Sequence, residues 1–472
     1  MNNKDNKFNN KAFKAILSRY QSAQNGLGDT FFDLDELIDV AEYYYEEGDL
    51  QQAKKVAQYA LRLYPGAMEP LALLARMAML HDNDLARAKA LAAEVDDKEN
   101  LEYYYLMAEI MIMEDDIDKA DSYLESKLHV LEGDDLYDYL VEVPTLFLDY
   151  NLSELAQKWM RRIDEKDTPD YQELEAKVAF SKGEYQVSEN ILHRLLDDEP
   201  FSTELWNCMA SAQYMLNKIH ESMESSEYAI AINPHDKDAL LNKANCLVAL
   251  YEHAKANEYY KRYLDMYPND HNTRMLYGVS LASDGHYDEA VEMLGQVERE
   301  STDAALVSSV VKEMAIVLFN QGKGDEAILY LDSAESGQRV SHIDRMLTEG
   351  YIRLGQYRDQ EAKDCFLDAL INAKSSYDVY LQVVYSYFDF AFYQHVYDML
   401  LPYLSKHSAE VKEGYAYMAY ACRMLNKHDE LLGYMEMACQ VNPYEARVVL
   451  GRLFPDDCPV SNYVNYARRR NL

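Results

Sequence analysis

The chain has 472 residues, of which 49% are hydrophobic, and 46 basic and 82 acidic residues give it a formal net charge of −36. A surface this acidic repels phosphate backbones and anionic membranes, so we expect neither nucleic acid nor a membrane as a partner. With 17 glycines and 11 prolines, the sequence favours helices joined by short loops over a protein of many strands. A chain of this length forms either about three domains or an elongated array of repeats.

The N-terminal stretch, MNNKDNKFNNKAFKAILSRYQ, lacks the apolar core of a secretory signal peptide, and no later stretch is apolar enough to span a membrane. The six cysteines form no C-x-x-C pair and have no histidine at metal-ligand spacing, which is typical of isolated thiols in a reducing compartment. We therefore expect a cytoplasmic protein. Apolar residues recur on one side of residues 10–24, which predicts a first helix that caps the segments after it.

A period of 34 residues runs through the middle of the chain. Pro200, Pro234 and Pro268 are 34 residues apart (234 − 200 and 268 − 234), and so are Ala256 and Ala290. Because proline cannot continue a helix, each of these prolines marks the end of a unit. Self-similarity at such a period indicates an architecture of stacked repeats.

A second pattern places a small residue five positions after a glycine. The glycine can take the left-handed conformation that ends the first helix of a pair, and the small residue lets the two helices approach each other. The pattern occurs at Gly48 and Ala53, Gly183 and Ser188, Gly285 and Ala290, and Gly322 and Ala327. In the unit 341–376, Gly355 and Ala362 are seven residues apart, which predicts a two-residue loop insertion.

Five units resemble the tetratricopeptide repeat (TPR) family, whose pattern sets large apolar, small, aromatic and proline residues at fixed positions. The matches are Leu37, Val40, Ala41, Tyr44, Ala53, Ala57, Ala60 and Pro65 in 34–67; Trp206, Met209, Ala210, Ala229 and Pro234 in 203–236; Leu240, Ala244, Ala256, Tyr260 and Pro268 in 237–270; Tyr277, Gly278, Gly285, Tyr287 and Ala290 in 271–304; and Met418, Ala419, Ala438 and Pro443 in 412–445. Weaker units lie near 68–100, 101–134, 137–168, 169–202, 308–340, 341–376 and 377–411. The stretch 32–44 also resembles a group of acidic cytoplasmic bacterial multi-TPR proteins of unassigned activity.

The resemblance implies an all-α fold, a right-handed α-solenoid of about twelve helix-turn-helix units with helical caps. It divides the chain into an N-terminal tail and capping helix at 1–33, an array with degenerate units at 34–202, well-matched central units at 203–304, a C-terminal array at 305–445, and a C-terminal cap with a basic tail at 446–472.

The sequence contains no phosphate-binding loop, no dinucleotide fingerprint, no nucleophile elbow and no H-E-x-x-H zinc motif. The acidic runs at 81–84 and 115–118 lack the glycine and the closing glutamate of a calcium loop. We therefore predict no catalysis, no metal and no cofactor. The alternative is an enzyme with a site hidden in the degenerate units 68–168 or 377–411, which a distinct fold in those segments would favour.

The resemblance also implies a concave groove lined by the first helix of each repeat, and solenoids use such grooves to bind extended segments. Amide side chains there can both donate to and accept from a peptide backbone, and methionine adapts to varied side chains. Asn242 alone matches the carboxylate clamp of chaperone-binding TPR domains, so the missing basic residues argue against that clamp. The predicted peptide-binding residues are Tyr45, Glu204, Asn207, Ser211, Tyr214, Met215, Asp238, Asn242, Asn245, Asn272 and Met275.

The predicted function is that of a non-catalytic scaffold or adaptor, which binds a segment of a protein partner in its groove. The net charge of −36 favours a polar or basic partner, recruited with electrostatic help. The alternative within the same fold is a regulatory sensor, whose groove binds a small peptide or ligand and changes the shape of the superhelix.

Overall fold

The computed structural model describes residues 8, 11–24, 31–46, 48–374, 376–407, 411–455 and 458–470. The chain divides into two compact units, Met1–Asp284 and Gly285–Leu472. Throughout the described residues the regular structure is helical, without a β-strand. Most of the predicted N-terminal tail and the last two residues of the predicted basic tail lie outside the described residues.

The first unit contains sixteen described α-helices and one short 3₁₀ segment, Leu128–Val130. The helices are α1 (Lys11–Gln24), α2 (Leu34–Glu46), α3 (Leu50–Leu63), α4 (Met68–Leu80), α5 (Leu85–Ala93), α6 (Leu101–Met113), α7 (Ile117–Lys127), α8 (Asp134–Asp149), α9 (Ser153–Met160), α10 (Pro169–Ser181), α11 (Tyr185–Asp198), α12 (Thr203–Met215), α13 (Ile219–Ile232), α14 (Lys237–Ala249), α15 (His253–Met266) and α16 (His271–Ser283).

The second unit contains eleven described α-helices and two short 3₁₀ segments, Gly451–Leu453 and Val460–Asn462. The helices are α17 (Tyr287–Glu300), α18 (Ala304–Asn320), α19 (Gly324–Ser336), α20 (His342–Gly355), α21 (Asp359–Asn372), α22 (Tyr377–Asp389), α23 (Tyr393–His407), α24 (Tyr415–Met424), α25 (His428–Val441), α26 (Pro443–Leu450) and α27 (Tyr463–Arg470).

From α2 to α25 the described helices follow one another as twelve pairs, which confirms the predicted α-solenoid of about twelve units. Its right-handed sense stays a prediction. The segments 68–168 and 377–411, in which a hidden enzyme domain was the alternative, form helical pairs like the others. The predicted domain boundaries within the array stay predictions.

One backbone device joins the two helices of every pair. The loop between them contains a residue with a positive φ, and the residue five positions later is buried. Within each unit, the two helices of a pair pack against each other. The left-handed residues are Gly48, Asn83, Asp115, Asn151, Gly183, Asn217, Tyr251, Gly285, Gly322, Tyr357, Ala391 and Asn426. The buried residues are Ala53, Ala88, Ala120, Ala156, Ser188, Ser222, Ala256, Ala290, Ala327, Ala362, Val396 and Leu431.

Only four of these twelve turns use glycine. Asparagine and aspartate tolerate the left-handed region because their short side chains can hydrogen-bond locally, whereas tyrosine and alanine are strained there. The loop insertion predicted in the unit 341–376 is wrong, because Tyr357 with a φ of 61° takes the turn position that was assigned to Gly355. Tyr357 precedes Ala362 by five residues, so this unit has the ordinary spacing.

The start of each well-matched repeat is fixed by a capping side chain two residues after the proline. Ser202, Asp236 and Asp270 follow the three prolines of the 34-residue period in this way. Each accepts a hydrogen bond from the backbone N–H three residues later, at 3.3, 2.7 and 3.0 Å. These bonds satisfy donors that the first turn of a helix otherwise leaves unpaired.

Within each unit, first helices of successive pairs pack against one another. In the first unit α12 contacts α14, and in the second unit α20 contacts both α18 and α22. The first helices therefore form an inner layer, and the second helices flank it. Side chains on the free face of that layer are the ones available to a bound segment.

Caps cover the apolar ends of the array. At the start, α1 buries Phe13 and Tyr20, and the guanidinium of Arg19 lies 4.7 Å above the centre of the Phe32 ring. At the end, the Tyr463 ring of α27 stacks on Phe454 with 3.8 Å between ring centres. Such caps shield surface that no further repeat covers.

The strained turn at Tyr357 gives a test of this architecture. The Tyr357 side chain is 90% exposed and makes no hydrogen bond or ring contact within the described residues. We expect Tyr357→Gly to raise the free energy of unfolding by about 0.5–1 kcal/mol, because glycine removes the left-handed strain. The matched change at another turn, Gly322→Ala, should lower it by about 1 kcal/mol, since the added Cβ meets no atom within 4 Å and only the backbone is strained. Urea unfolding midpoints measure both; a lower midpoint for Tyr357→Gly would contradict the assignment.

Candidate functional site

An open cavity of about 1280 Å³ lies within the first unit. One wall, here called the N-terminal wall, is formed by Phe8, α1 and the last turn of α2. The opposite wall is formed by α10, α12 and α14 with the loops beside them. The lining residues are Phe8, Phe13, Lys14, Leu17, Tyr43, Glu46, Ala176, Lys177, Phe180, Ser188, Phe201, Ser202, Thr203, Glu204, Asn207, Cys208, Ser211, Ile232, Asn233, His235, Asp236, Lys237, Asp238, Asn242, Asp265, Met266 and Tyr267.

The N-terminal wall is mainly apolar. Phe13 and Leu17 are four residues apart on α1, so both project from the same face of that helix. The Phe13 ring lies 4.9 Å from the centre of Phe8 and 5.4 Å from that of Tyr43. Phe13 is buried beneath Phe8 and Tyr43, which keep part of their apolar surface exposed, and Lys14 and Glu46 add one charge of each sign.

Two asparagines on the opposite wall differ in their hydrogen bonding. The Asn207 amide Nδ2 donates to Asp236 Oδ1 at 2.7 Å, and Asp236 is held in place because it also caps α14. The Oδ1 atom of Asn207 is buried and accepts no hydrogen bond from the described residues. Asn242 is half-buried, and its amide forms no hydrogen bond with any residue that the structure describes. The Asn242 amide is therefore available to bind a ligand through both its donor and its acceptor.

Lys177 forms two ion pairs in this wall. Lys177 Nζ lies 2.7 Å from Glu173 Oε1 and 2.8 Å from Glu204 Oε1, so one lysine joins α10 to the start of α12. Burial opposes the charge on Lys177, but the two carboxylates outweigh it and raise the pKa of the lysine. The lysine is consequently held as a cation and engaged within the protein.

Asp238 stands at the start of α14 with its carboxylate open to solvent. The protein atoms that surround it raise its pKa, the charges of Asp236 and Glu204 add to the increase, and Lys237 opposes it. A cationic group bound beside Asp238 would relieve this repulsion. The polar wall thus combines a free amide with a carboxylate that favours a positive ligand.

Cys208 lies in the same wall but is not an activated nucleophile. Burial raises the pKa of its thiol to about 12, and the nearby cation of Lys177 only partly opposes that effect. The described residues contain no group of three or more His, Cys, Asp or Glu side chains that could hold a metal ion. The cavity therefore offers hydrogen bonds, charge and apolar contact, which are the elements of binding.

The structure brings five of the eleven predicted binding residues to this cavity, namely Glu204, Asn207, Ser211, Asp238 and Asn242. Of these, Ser211 donates its hydroxyl to the Asn207 carbonyl at 3.0 Å, and Glu204 is engaged with Lys177. The other six do not line the cavity: Tyr45, Tyr214, Met215, Asn245, Asn272 and Met275.

Two of those six have clear positions elsewhere in the first unit. Asn245 Oδ1 accepts a hydrogen bond from the Tyr260 hydroxyl at 2.9 Å, so its acceptor supports the packing of α15 on α14. Tyr45 Oη lies 3.3 Å from His81 Nε2, with the ring centres 5.6 Å apart. Burial raises the pKa of Tyr45, with the charges of Arg76 and Glu109 nearby. A binding role for these residues stays a prediction.

Sequence reasoning missed the whole N-terminal wall. Phe13, Leu17 and Tyr43 lie more than 130 residues away from Ala176, the first lining residue of the opposite wall, so no local pattern connects them. On the opposite wall it also missed Phe201, which the structure shows to be 81% exposed in the loop before α12. A large exposed aromatic residue next to polar groups marks a contact surface more often than a core position.

No helix of the described residues has the length and apolar character that crossing a membrane requires.

Comparison with known proteins places one segment in a family. Residues 238–270 match the model of the tetratricopeptide repeat. A tetratricopeptide repeat protein from Parabacteroides merdae ATCC 43184 is 16% identical, with a TM-score of 0.41 over 53% of this chain and 98% of that chain. PilW, a widely conserved type IV pilus biogenesis factor, is 19% identical, with a TM-score of 0.38 over 45% of this chain and 96% of that one.

The APC/C hetero-tetramer Cut9–Hcn1 is 14% identical, with a TM-score of 0.32 over 90% of both chains. No curated protein matches the chain.

The raised pKa of Cys208 predicts an unreactive thiol. At pH 8 a thiol with a pKa of about 12 is ionised to roughly one part in ten thousand, against about a quarter for an ordinary thiol in the unfolded chain. We expect iodoacetamide to alkylate Cys208 about a thousandfold more slowly in the folded protein than in urea. Peptide mass spectrometry over time measures both rates, and equal rates would show that the thiol is not protected in this way.

Proposed function

We propose that this chain is a non-catalytic adaptor of the tetratricopeptide-repeat kind, and that it binds a segment of a partner protein in the cavity of its first unit. Tetratricopeptide repeats generally mediate protein–protein interaction, and the inner layer of a solenoid suits an extended segment. The half-buried, unengaged amide of Asn242 carries the proposal, since it can bind a peptide N–H and a C=O together.

The size of the cavity supports a polypeptide ligand. At about 1280 Å³ it exceeds the roughly 300–1,000 Å³ of typical small-molecule sites. Its two walls differ, with aromatic side chains on one side and amides and carboxylates on the other. A segment with apolar residues facing Leu17 and Tyr43, and backbone groups facing Asn242, would satisfy both walls.

Charge favours a polar or basic segment. Asp238 and Asp265 line the polar wall, and the chain as a whole carries a net charge of −36. Such a field attracts cationic partners and repels nucleic acid and anionic membranes. With six free cysteines, we place the adaptor in the reducing cytoplasm.

A change at Asn242 tests this function. We expect Asn242→Ala to lower the amount of captured partner about tenfold, which corresponds to ~1.4 kcal/mol, because a bidentate contact to the peptide backbone is lost. The melting temperature should not change, since the amide has no partner within the described residues. Affinity capture on the purified full chain, followed by quantitative mass spectrometry of the bound proteins, makes the measurement.

The matched control is Glu258→Ala, at an exposed position on the second helix α15, which should leave the captured amount unchanged. A photo-crosslinking residue placed at position 242 should attach to the captured protein, and the same residue at position 258 should not. Equal crosslinking from both positions, or full capture by Asn242→Ala, would contradict binding in the cavity.

A further inference from the structure

The inner layer of the second unit presents a surface of half-buried aromatic rings, here called the tyrosine face: Tyr351, Tyr385, Phe388, Phe390, Tyr417 and Tyr420. Ring centres of Tyr385 and Tyr417 are 4.6 Å apart, and Phe388 lies 4.9 Å from Tyr417 and 5.1 Å from Tyr420. The rings of Tyr351 and Phe390 are 4.8 Å apart. Ring contacts therefore connect α22 with α24, and the Tyr351–Phe390 pair forms a second ring contact between α20 and the end of α22.

Helical spacing aligns these rings. Tyr385 and Phe388 are three residues apart on α22, and Tyr417 and Tyr420 are three apart on α24, so each pair shares one face of its helix. Both helices are first helices of their pairs and belong to the inner layer. All of these rings keep part of their surface accessible, whereas a core aromatic such as Tyr397 is buried.

Two carboxylates without a partner lie beside the tyrosine face. Glu313 is half-buried on α18, and Asp389 is the last residue of α22. Asp389 directly precedes Phe390, whose ring contacts Tyr351, and Glu313 lies on α18, which packs against α20. Burial raises the pKa of the Tyr351 phenol, and the charges of Asp389 and Glu313 raise it further. Within the described residues neither carboxylate forms a hydrogen bond or an ion pair.

Other acidic residues on the neighbouring inner-layer helices do form ion pairs. Glu349 on α20 is paired with Arg345 at 2.8 Å and with Arg353 at 3.0 Å. Lys312, next to Glu313, instead lies 3.4 Å from Asp344. Glu349 and Asp344 are therefore paired, whereas Glu313 and Asp389 are not paired with any described residue.

Stability alone disfavours both acids. Asp389 stands at the C-terminal end of α22, where the helix dipole repels a negative charge. Surrounding protein raises the pKa of Asp389 and of Glu313, which means that the charged forms are destabilised there. The presence of a carboxylate that destabilises the free protein is explained if the carboxylate pairs with a cation of a bound partner.

We propose that the tyrosine face, together with Glu313 and Asp389, binds arginine side chains of a partner segment. A guanidinium is flat and weakly hydrated, so it can stack on the phenol rings while its N–H groups bond a carboxylate in a forked geometry. The ammonium of lysine satisfies the charge but not the stacking. This site lies in the second unit and does not depend on the cavity of the first.

The test uses a short fluorescent peptide of alternating arginine and serine, and its lysine counterpart, with the full chain near physiological ionic strength. Fluorescence anisotropy should show the arginine peptide binding at least threefold more tightly than the lysine peptide. The double variant Glu313→Gln and Asp389→Asn should weaken the arginine peptide at least tenfold. Its melting temperature should be unchanged or higher, because the two charges it removes are unpaired.

The charge-matched control is Glu326→Gln with Asp429→Asn, which removes two exposed carboxylates on the second helices α19 and α25. It should change the affinity less than twofold, and Glu258→Ala in the first unit should leave it unchanged. Equal losses in both double variants would show attraction by net charge alone and would overturn the proposal. Equal affinities for the two peptides, or no binding of the arginine peptide, would overturn it as well.

Discussion

The close approach of two helices in each pair is the constraint on which the rest of the structure depends. The loop between them contains a left-handed residue, and the residue five positions later, alanine or serine in ten of the twelve pairs, is buried. A larger side chain at a helix contact forces backbone shifts, because protein interiors have little free space. Within each unit, repetition of this contact sets the direction of the first helices, and therefore which of their side chains face inward.

The inward faces of the two units carry different chemistry on the same scaffold. The first unit combines the apolar rings of α1 and α2 with free amide and carboxylate groups on α14. The second unit presents contacting aromatic rings with two unpaired carboxylates. Since a solenoid unit contacts only its neighbours, each inner surface can differ without disturbing the packing of the others.

The acidic residues of this protein fall into two groups. Some acids are structural, such as Glu445, whose carboxylate accepts hydrogen bonds from the backbone of Gly414 and Ala416 at 2.7 and 2.9 Å. Others, such as Asp238, Glu313 and Asp389, lie on inner surfaces where neighbouring protein raises their pKa values. An unpaired acid in such a place favours a cation from outside, which agrees with the excess of acidic residues in the chain.

The sequence by itself determined the all-α repeat fold, because proline ends, glycine turns and small contact residues recur at a fixed period that local chemistry enforces. The repeat positions predicted Asn207 as an inward residue, and Asn242 was predicted as a binding residue from its match to one clamp position; both line the cavity, and their role in binding stays a prediction. Only the tertiary structure revealed that asparagine, aspartate, tyrosine and alanine also occupy the left-handed turn, as Tyr357 does. It alone placed Phe13 and Tyr43 opposite Asn242, and Asp389 beside Tyr351. Those neighbours come from the stacking of distant helices, for which the sequence carries no local pattern.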